Sequence, residues 1–364
     1  QRHLKAKAFD RAASVLETYM KEAGEPIPLP AYQILARAWF EQNEIETAKK
    51  IYEKARKSFP KSQHLLRNLA ILTYETGDLT KAGDLFEQLF FLEGSIDLSL
   101  LYQSAQIYFQ AKEYKKSKKV FARLLGSKTQ IKTEWIRDMI SVCLCLDDLA
   151  CAEQWTKKLL EKHPGQEKYW DLLARIRLGQ KEYKRAAAAL EVALAMGNAG
   201  ADQWIELSDL YLYLNAPLMA ARAMEKAFGK NLTVKQRLGL ARIYAKSLRY
   251  DKALSCLDEA IQASPSGHLF LEKGRILYGA GRYSEAMNAL DLSIQTDPVP
   301  GEAYILAGFA AWNLKALERA KRYFALAAAK PEFTNQAKEA VRVLEDLLAP
   351  APGPKALTSR NTAN

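Results

Sequence analysis

Three of the four cysteines, Cys143, Cys145 and Cys151, fall close together, and Cys256 stands alone. Closely spaced thiolates are good ligands for soft metals. Here the spacing argues against that chemistry, because residues two apart on a helix point to different faces. Cys145 and Cys151 flank a short turn and are placed to pair in an oxidising compartment. The alternative is that the thiols are buried free, packing as small hydrophobes between helices. Four cysteines in a chain of 364 residues do not make a disulfide framework.

Other reactive groups are sparse. His3, His64, His163 and His268 are scattered along the chain, and none belongs to an H-E-x-x-H, phosphate-loop or G-x-S-x-G pattern. Gly279 and Gly281 sit in a helix-to-helix turn, not in a nucleotide cradle. Asn231-Leu232-Thr233 matches a glycosylation sequon at chance level. The expectation is a protein that is not an enzyme, with no cofactor and no metal.

The formal charge is +11 with a pI near 9.2, which admits nucleic acid, anionic membrane or acidic protein as partners. The densest basic run is Lys112, Lys115, Lys116, Lys118 and Lys119. It falls at a helix–turn–helix corner and reads as a solvated face, so nucleic acid is the lesser expectation. No run approaches the roughly 18 apolar residues of a membrane span, and no leader peptide is visible.

The elements that must position any site repeat along the chain. A small residue recurs midway along one helix of every pair, at Ala12, Ala48, Ala82, Ser117, Ala152, Ala186, Ala220, Ala253, Ala286 and Ala320, at intervals of 33 to 36 residues. Small side chains there let antiparallel helices approach closely. The clearest two periods are Trp170, Leu173, Ala174, Ala186, Leu190, Ala193 and then Trp204, Leu207, Ser208, Tyr211, Ala220, Met224, Ala227. Proline closes many units, as at Pro60, Pro164, Pro265 and Pro298, because it cannot continue a helix. A period of this size means an array whose units touch only their neighbours.

The recurring small–aromatic–small–proline series resembles the tetratricopeptide repeat over residues 1–333. The resemblance implies an all-α, right-handed superhelical solenoid of about ten helix–turn–helix units. Residues 8–20 read as the second helix of an incomplete first unit. Residues 334–348 are expected to form a capping helix, and residues 349–364 a disordered tail with too little apolar content to pack. Two departures stand out. Glycine fills the tight first-helix site only at Gly274 and Gly308, and Arg177 replaces an expected aromatic. Within the superfamily, residues 206–228 (ELSDLYLYLNAPLMAARAMEKAF), preceded by residues 169–195, resemble bacterial periplasmic tetratricopeptide proteins associated with the TonB–ExbB–ExbD apparatus. That implies an accessory of a TonB-type transport system in the periplasm; the cytoplasm is the alternative.

The superfamily also implies that first helices line a concave face. The positions carried over to it are Arg37, Phe40, Arg67, Asn68, Tyr74, Tyr102, Gln103, Gln106, Phe109 and Arg137. Arginine forks pair carboxylates in two places, and aromatics supply apolar area at small entropy cost. This mixture suits a protein or peptide segment carrying acidic and apolar residues. The competing reading is that Asp138, Glu206, Asp209 and Glu272 neutralise these arginines internally. The resulting expectation is a non-catalytic scaffold or adaptor. Two alternatives are a nucleic-acid-associated basic repeat and the interaction domain of a larger enzyme-bearing protein.

Overall fold

The computed structural model describes residues 2–24, 26–127, 130–197, 199–229, 231–296 and 298–348, with the backbone alone for residues 2–7. The tail expected at 349–364 lies outside the described residues. The chain divides into two units, Gln1–Met196 and Gly197–Asn364. Every regular element among the described residues is helical, and the architecture is an all-α repeat.

The first unit comprises α1 (Arg2–Glu22), α2 (Leu29–Glu41), α3 (Ile45–Ser58), α4 (Gln63–Glu75), α5 (Leu79–Leu92), α6 (Leu98–Gln110), α7 (Tyr114–Leu125), α8 (Thr133–Cys145), α9 (Leu149–Lys162), α10 (Glu167–Gly179) and α11 (Tyr183–Met196). Each helix packs on the next in sequence. The second unit comprises α12 (Ala201–Tyr213), α13 (Pro217–Phe228), α14 (Val234–Lys246), α15 (Tyr250–Ala263), α16 (Gly267–Gly279), α17 (Tyr283–Ile294), α18 (Gly301–Asn313), α19 (Leu317–Ala328) and α20 (Thr334–Leu348), with a short 3-10 turn at Pro331–Phe333. Here too neighbours in sequence are neighbours in space.

Helix pairs form because the small residues are fully enclosed. Ala48, Ala82, Ser117, Ala152 and Ala186 in the first unit, and Ala220, Ala253, Ala286 and Ala320 in the second, are all 0% exposed. Where serine replaces alanine at these contacts, its hydroxyl finds a carbonyl on the facing helix. Ser117 donates to the Ala105 carbonyl at 2.8 Å, and Ser208 donates to the Ala220 carbonyl at 3.0 Å. Neither hydroxyl is left unsatisfied at full burial. The first marker is corrected. Ala12 is only half-buried, and Ala13 beside it is the buried residue, because α1 packs on α2 through Ala13, Leu35 and Ala38.

Two glycines explain themselves by contact. A Cβ on Gly274 would lie 2.5 Å from Leu290 Cγ, and one on Gly308 would lie 2.6 Å from Phe324 Cε1. Arg177 fills the place of an aromatic with charge. It is half-buried, and its Nε lies 3.1 Å from Glu153. Burial raises the Glu153 carboxyl, but hydrogen bonds from Lys157 and Arg177 outweigh it and hold the group below the usual carboxylate range.

Turns within the pairs share one device. The residue two places beyond the first helix has positive φ at Asn43, Gly77, Lys112, Asp147, Lys181, Asn215, Leu248, Gly281 and Lys315. Only glycine adopts this conformation without cost, and asparagine and aspartate tolerate it better than most. Leu248, at φ 58° and 70% exposed, bears the cost with no burial in return. At the other end of the second unit, α20 buries Ala337, Ala340 and Leu344 against α19 and turns Lys338, Glu339, Arg342, Glu345 and Asp346 outward.

The cysteines pair differently from the expectation. Cys143 is joined to Cys151 across the α8–α9 turn, with Cα atoms 5.8 Å apart, and Cys145 is exposed with a free thiol. The reason is the helical rotation between Cys143 and Cys145, about 200° over two residues. It aims Cys143 at α9 and Cys145 away from it. Cys256 is half-buried and free, and burial pushes its thiol pKa up, away from reactivity. Among the described residues no group of three or more His, Cys, Asp or Glu side chains could hold a metal ion, and no helix is long and apolar enough to cross a membrane.

Candidate functional site

In the first unit, α2, α4, α6 and α8 present a line of three clefts. The first, of about 490 Å³, lies between α2 and α4; Ile34, Arg37 and Phe40 form one wall and His64, Asn68 and Ile71 the other. The second, of about 320 Å³, lies between α4 and α6 and is walled by Arg67, Ile71, Tyr74, Gln103 and Gln106. The third, of about 220 Å³, lies between α6 and α8, with Gln106, Phe109, Asp138 and Ser141. Tyr52, Phe86 and Phe121 from the second helices reach in to form the floors. Ile71 belongs to both the first and second clefts, and Gln106 and Gln110 to both the second and third. The clefts therefore form one trough.

The trough is apolar in its walls. Ile34 is 54% exposed, Phe40 45% and Ile71 43%, high values for large hydrophobic side chains sharing one recess. Around them runs a polar network. The amide nitrogens of Gln33 and Asn68 stand 3.0 and 3.3 Å from His64 Nδ1, which suits the tautomer with its proton on Nε2. Asn68 also donates to the Tyr52 hydroxyl at 3.1 Å, and Tyr74 donates to Gln110 at 3.2 Å. Burial raises the Tyr52 pKa. Among the described residues the side-chain amides of Gln103 and Gln106 have no protein partner, so they keep both a donor and an acceptor for something else.

The sequence-predicted residues sort by geometry. Arg37, Phe40 and Asn68 line the first cleft, Arg67, Tyr74 and Gln103 the second, and Phe109 the third, with Gln106 in the last two. Tyr102 is held under the α6–α8 edge. It packs on Phe121 and Trp135 and donates to Asp138 at 2.9 Å. Burial first, and then the Asp138 carboxylate, push its pKa up to about 12. Arg137 is exposed and does not line the three clefts. Arg67 is bonded to Glu93 at 2.7 Å, whereas Arg37 is 76% exposed with Glu41 at 3.8 Å.

Gln33, Ile34, His64 and Gln110 were not singled out from the sequence. The signal was present, since Gln33 lies four residues and Ile34 three before Arg37, and Gln110 lies four after Gln106. The lysine run is partly spent on packing. Lys116 pairs with Asp84 and lies over the Tyr108 ring, and Lys118 pairs with Asp148.

The first-helix face of the second unit has a different character. Arg242 and Arg275 both bond to Glu272, whose side chain is 2% exposed, and Arg275 also holds Glu302 at 2.6 Å. Tyr278, Phe309 and Trp312 lie half-buried on the same helices. The cleft of about 570 Å³ in this unit lies around α15–α17 and is lined by charged residues already in ion pairs, including Asp258 with Lys273 and Arg282 with Glu285.

A tetratricopeptide-repeat family model matches residues 35–90 and 238–303, and a second matches 98–130. No curated protein sequence matches the chain. Among solved structures the chain is similar to YrrB, described as a TPR protein with an unusual peptide-binding site, at 19% identity and a TM-score of 0.38 over 51% of this chain and 97% of that one. It is also similar to a tetratricopeptide repeat protein from Parabacteroides merdae, at 15% identity and a TM-score of 0.33 over 68% of this chain and 98% of that one. A third is PilW, described as a widely conserved type IV pilus biogenesis factor, at 18% identity and a TM-score of 0.35 over 59% of this chain and 99% of that one.

Proposed function

We propose that this tetratricopeptide-repeat chain is a non-catalytic scaffold that holds a peptide segment of a partner protein in the trough of its first unit. The observation that carries the reading is the continuity of the three clefts, with exposed Ile34, Phe40 and Ile71 beside the amides of Gln103 and Gln106, which have no partner among the described residues. A recess that offers apolar area and unused hydrogen-bonding groups together is built for a ligand with both. Arg37 adds a cation with little competition at one end, which favours an acidic residue in the partner. Ile71 forms a shared wall and is 43% exposed, so Ile71→Glu disturbs the trough and leaves the core intact. Selection of a displayed random peptide library on the wild-type chain, followed by anisotropy titrations, should give binders that lose more than about tenfold in affinity to Ile71→Glu at an unchanged melting temperature. Failure to select any binder, or binders indifferent to Ile71→Glu, sinks the reading.

We also assign the chain to the periplasm as an accessory of a TonB-type transport system. The support is the resemblance of residues 206–228, together with the Cys143–Cys151 pair, since disulfides persist in oxidising compartments. Cell fractionation with thiol labelling checks this, and recovery from the cytoplasm with all four thiols reduced refutes it.

A further inference from the structure

We infer that the trough takes its partner as an extended segment of about nine residues with a fixed charge order: an acidic residue and an adjacent apolar anchor at the α2 end, and a basic residue at the α8 end. The inference rests on the peptide-binding reading above and adds conformation, length and register to it.

Conformation follows from hydrogen bonding. A helix satisfies its own main chain and would leave the Gln103 and Gln106 amides unused. An extended strand presents N–H and C=O groups to each side along its length, which a primary amide can meet as donor and acceptor at once.

Length follows from the helix spacing. Neighbouring first helices touch through side chains, as between Tyr74 and Gln110 and between Tyr102 and Asp138. Axes of packed helices lie roughly 10 Å apart, so the three steps from α2 to α8 span about 30 Å. At about 3.3 Å per residue that is roughly nine residues of extended chain.

Charge order follows from how closely each charged group is already held. Arg37 at the α2 end has Glu41 only at 3.8 Å, and Arg67 in the middle is taken by Glu93 at 2.7 Å. Asp138 at the α8 end accepts the Tyr102 hydroxyl and, among the described residues, has no cation in an ion pair. The apolar anchor belongs beside Arg37, because the largest of the three trough clefts and the exposed Ile34 and Phe40 lie there, while the third cleft is smaller and more polar.

Two labelled nonapeptides test this. Both carry leucine at position two and serine and glycine at the interior positions. One has aspartate first and lysine eighth; the other has these two charges exchanged. Anisotropy titrations should show at least tenfold tighter binding of the first, narrowing or inverting in Arg37→Glu. Asp138→Asn, which keeps an acceptor for Tyr102, should weaken the first peptide about threefold. Replacing serine and glycine by N-methylated residues at positions five and six should weaken it about fivefold. Melting curves confirm that each variant is folded. Equal binding of the two peptides, with both lost in Ile71→Glu, overturns the charge order and leaves peptide binding in the trough standing. Equal or tighter binding by a stapled helical form of the first peptide overturns the extended conformation. Absence of binding by both nonapeptides overturns the inference, and the library selection then decides separately whether the trough binds peptide at all.

Discussion

In the first unit Arg37 stands 76% exposed beside Glu41 at 3.8 Å, over a recess walled by Ile34, Phe40 and Ile71. In the second, Arg242 and Arg275 occupy first-helix positions of the same register, and both close on the buried Glu272. The repeat fixes where such side chains point; it does not fix whether their charge is spent. One buried carboxylate holds two arginines in the second unit, whereas Arg37 in the first unit has only the partly exposed Glu41, at 3.8 Å. A repeat array can thus specialise its units without changing a helix.

The sharpest way to break this contrast is Glu272→Gln. Removing a buried charge from between two guanidiniums should lower the stability of the second unit by about 2 kcal/mol in urea unfolding. That is below the ~3–5 kcal/mol of a fully buried pair because both arginines are partly solvated. The matching change in the first unit, Glu93→Gln, should cost under about 1 kcal/mol, since Arg67 is 41% exposed. Equal losses would mean the two faces are electrostatically alike after all.

A second comparison concerns packing. The first unit has alanine at several first-helix contacts, as at Ala36, Ala70 and Ala174, whereas the second has Ser208 and Ala241 at two of them and glycine at Gly274 and Gly308. Gly308→Ala should destabilise by about 1–2 kcal/mol in the same assay, because the overlap with Phe324 exceeds the roughly 1 kcal/mol gained in helix propensity. A neutral result would show that Phe324 can move aside.

Smaller effects fall at the helix caps and turns. Asp148 caps α9 by accepting the Cys151 amide hydrogen at 3.0 Å. The Lys118 ammonium, and then that amide, hold its carboxyl below the usual carboxylate range. A depressed carboxylate stabilises fully above its unfolded value near pH 4 and loses that contribution as pH falls through the lower folded value. Asp148→Ala should therefore cost about 1 kcal/mol at neutral pH and progressively less in acid. A mutant-to-wild-type difference that does not shrink below about pH 4 would remove the role of charge. Smallest is Leu248→Gly, which relieves a left-handed leucine in an exposed turn and should stabilise by about 0.5 kcal/mol, read from the urea midpoint.

Much of this was legible in the chain. The small residues announced the period, and nine of the ten predicted markers are fully buried. Eight of the ten predicted inward residues line the trough, because helical register alone decides which way a first-helix side chain points. What escaped depends on neighbours remote in sequence. Whether an arginine is neutralised turned on Glu93, 26 residues from Arg67, and on Glu272, 30 from Arg242. Tyr102 was read as a contact residue, but Asp138 on the adjoining first helix holds its hydroxyl. The cysteine pairing turned on a rotation within one helix, where closeness along the chain favoured Cys145 and facing favoured Cys143.

The shared walls of the trough have a mechanical consequence. Ile71 walls the first and second recesses, and Gln106 and Gln110 the second and third, so neighbouring recesses do not change shape independently. If the trough takes a segment as proposed, a short ligand lodged at one end would press on side chains that also wall the next recess, and a long ligand would then gain more than the sum of its fragments.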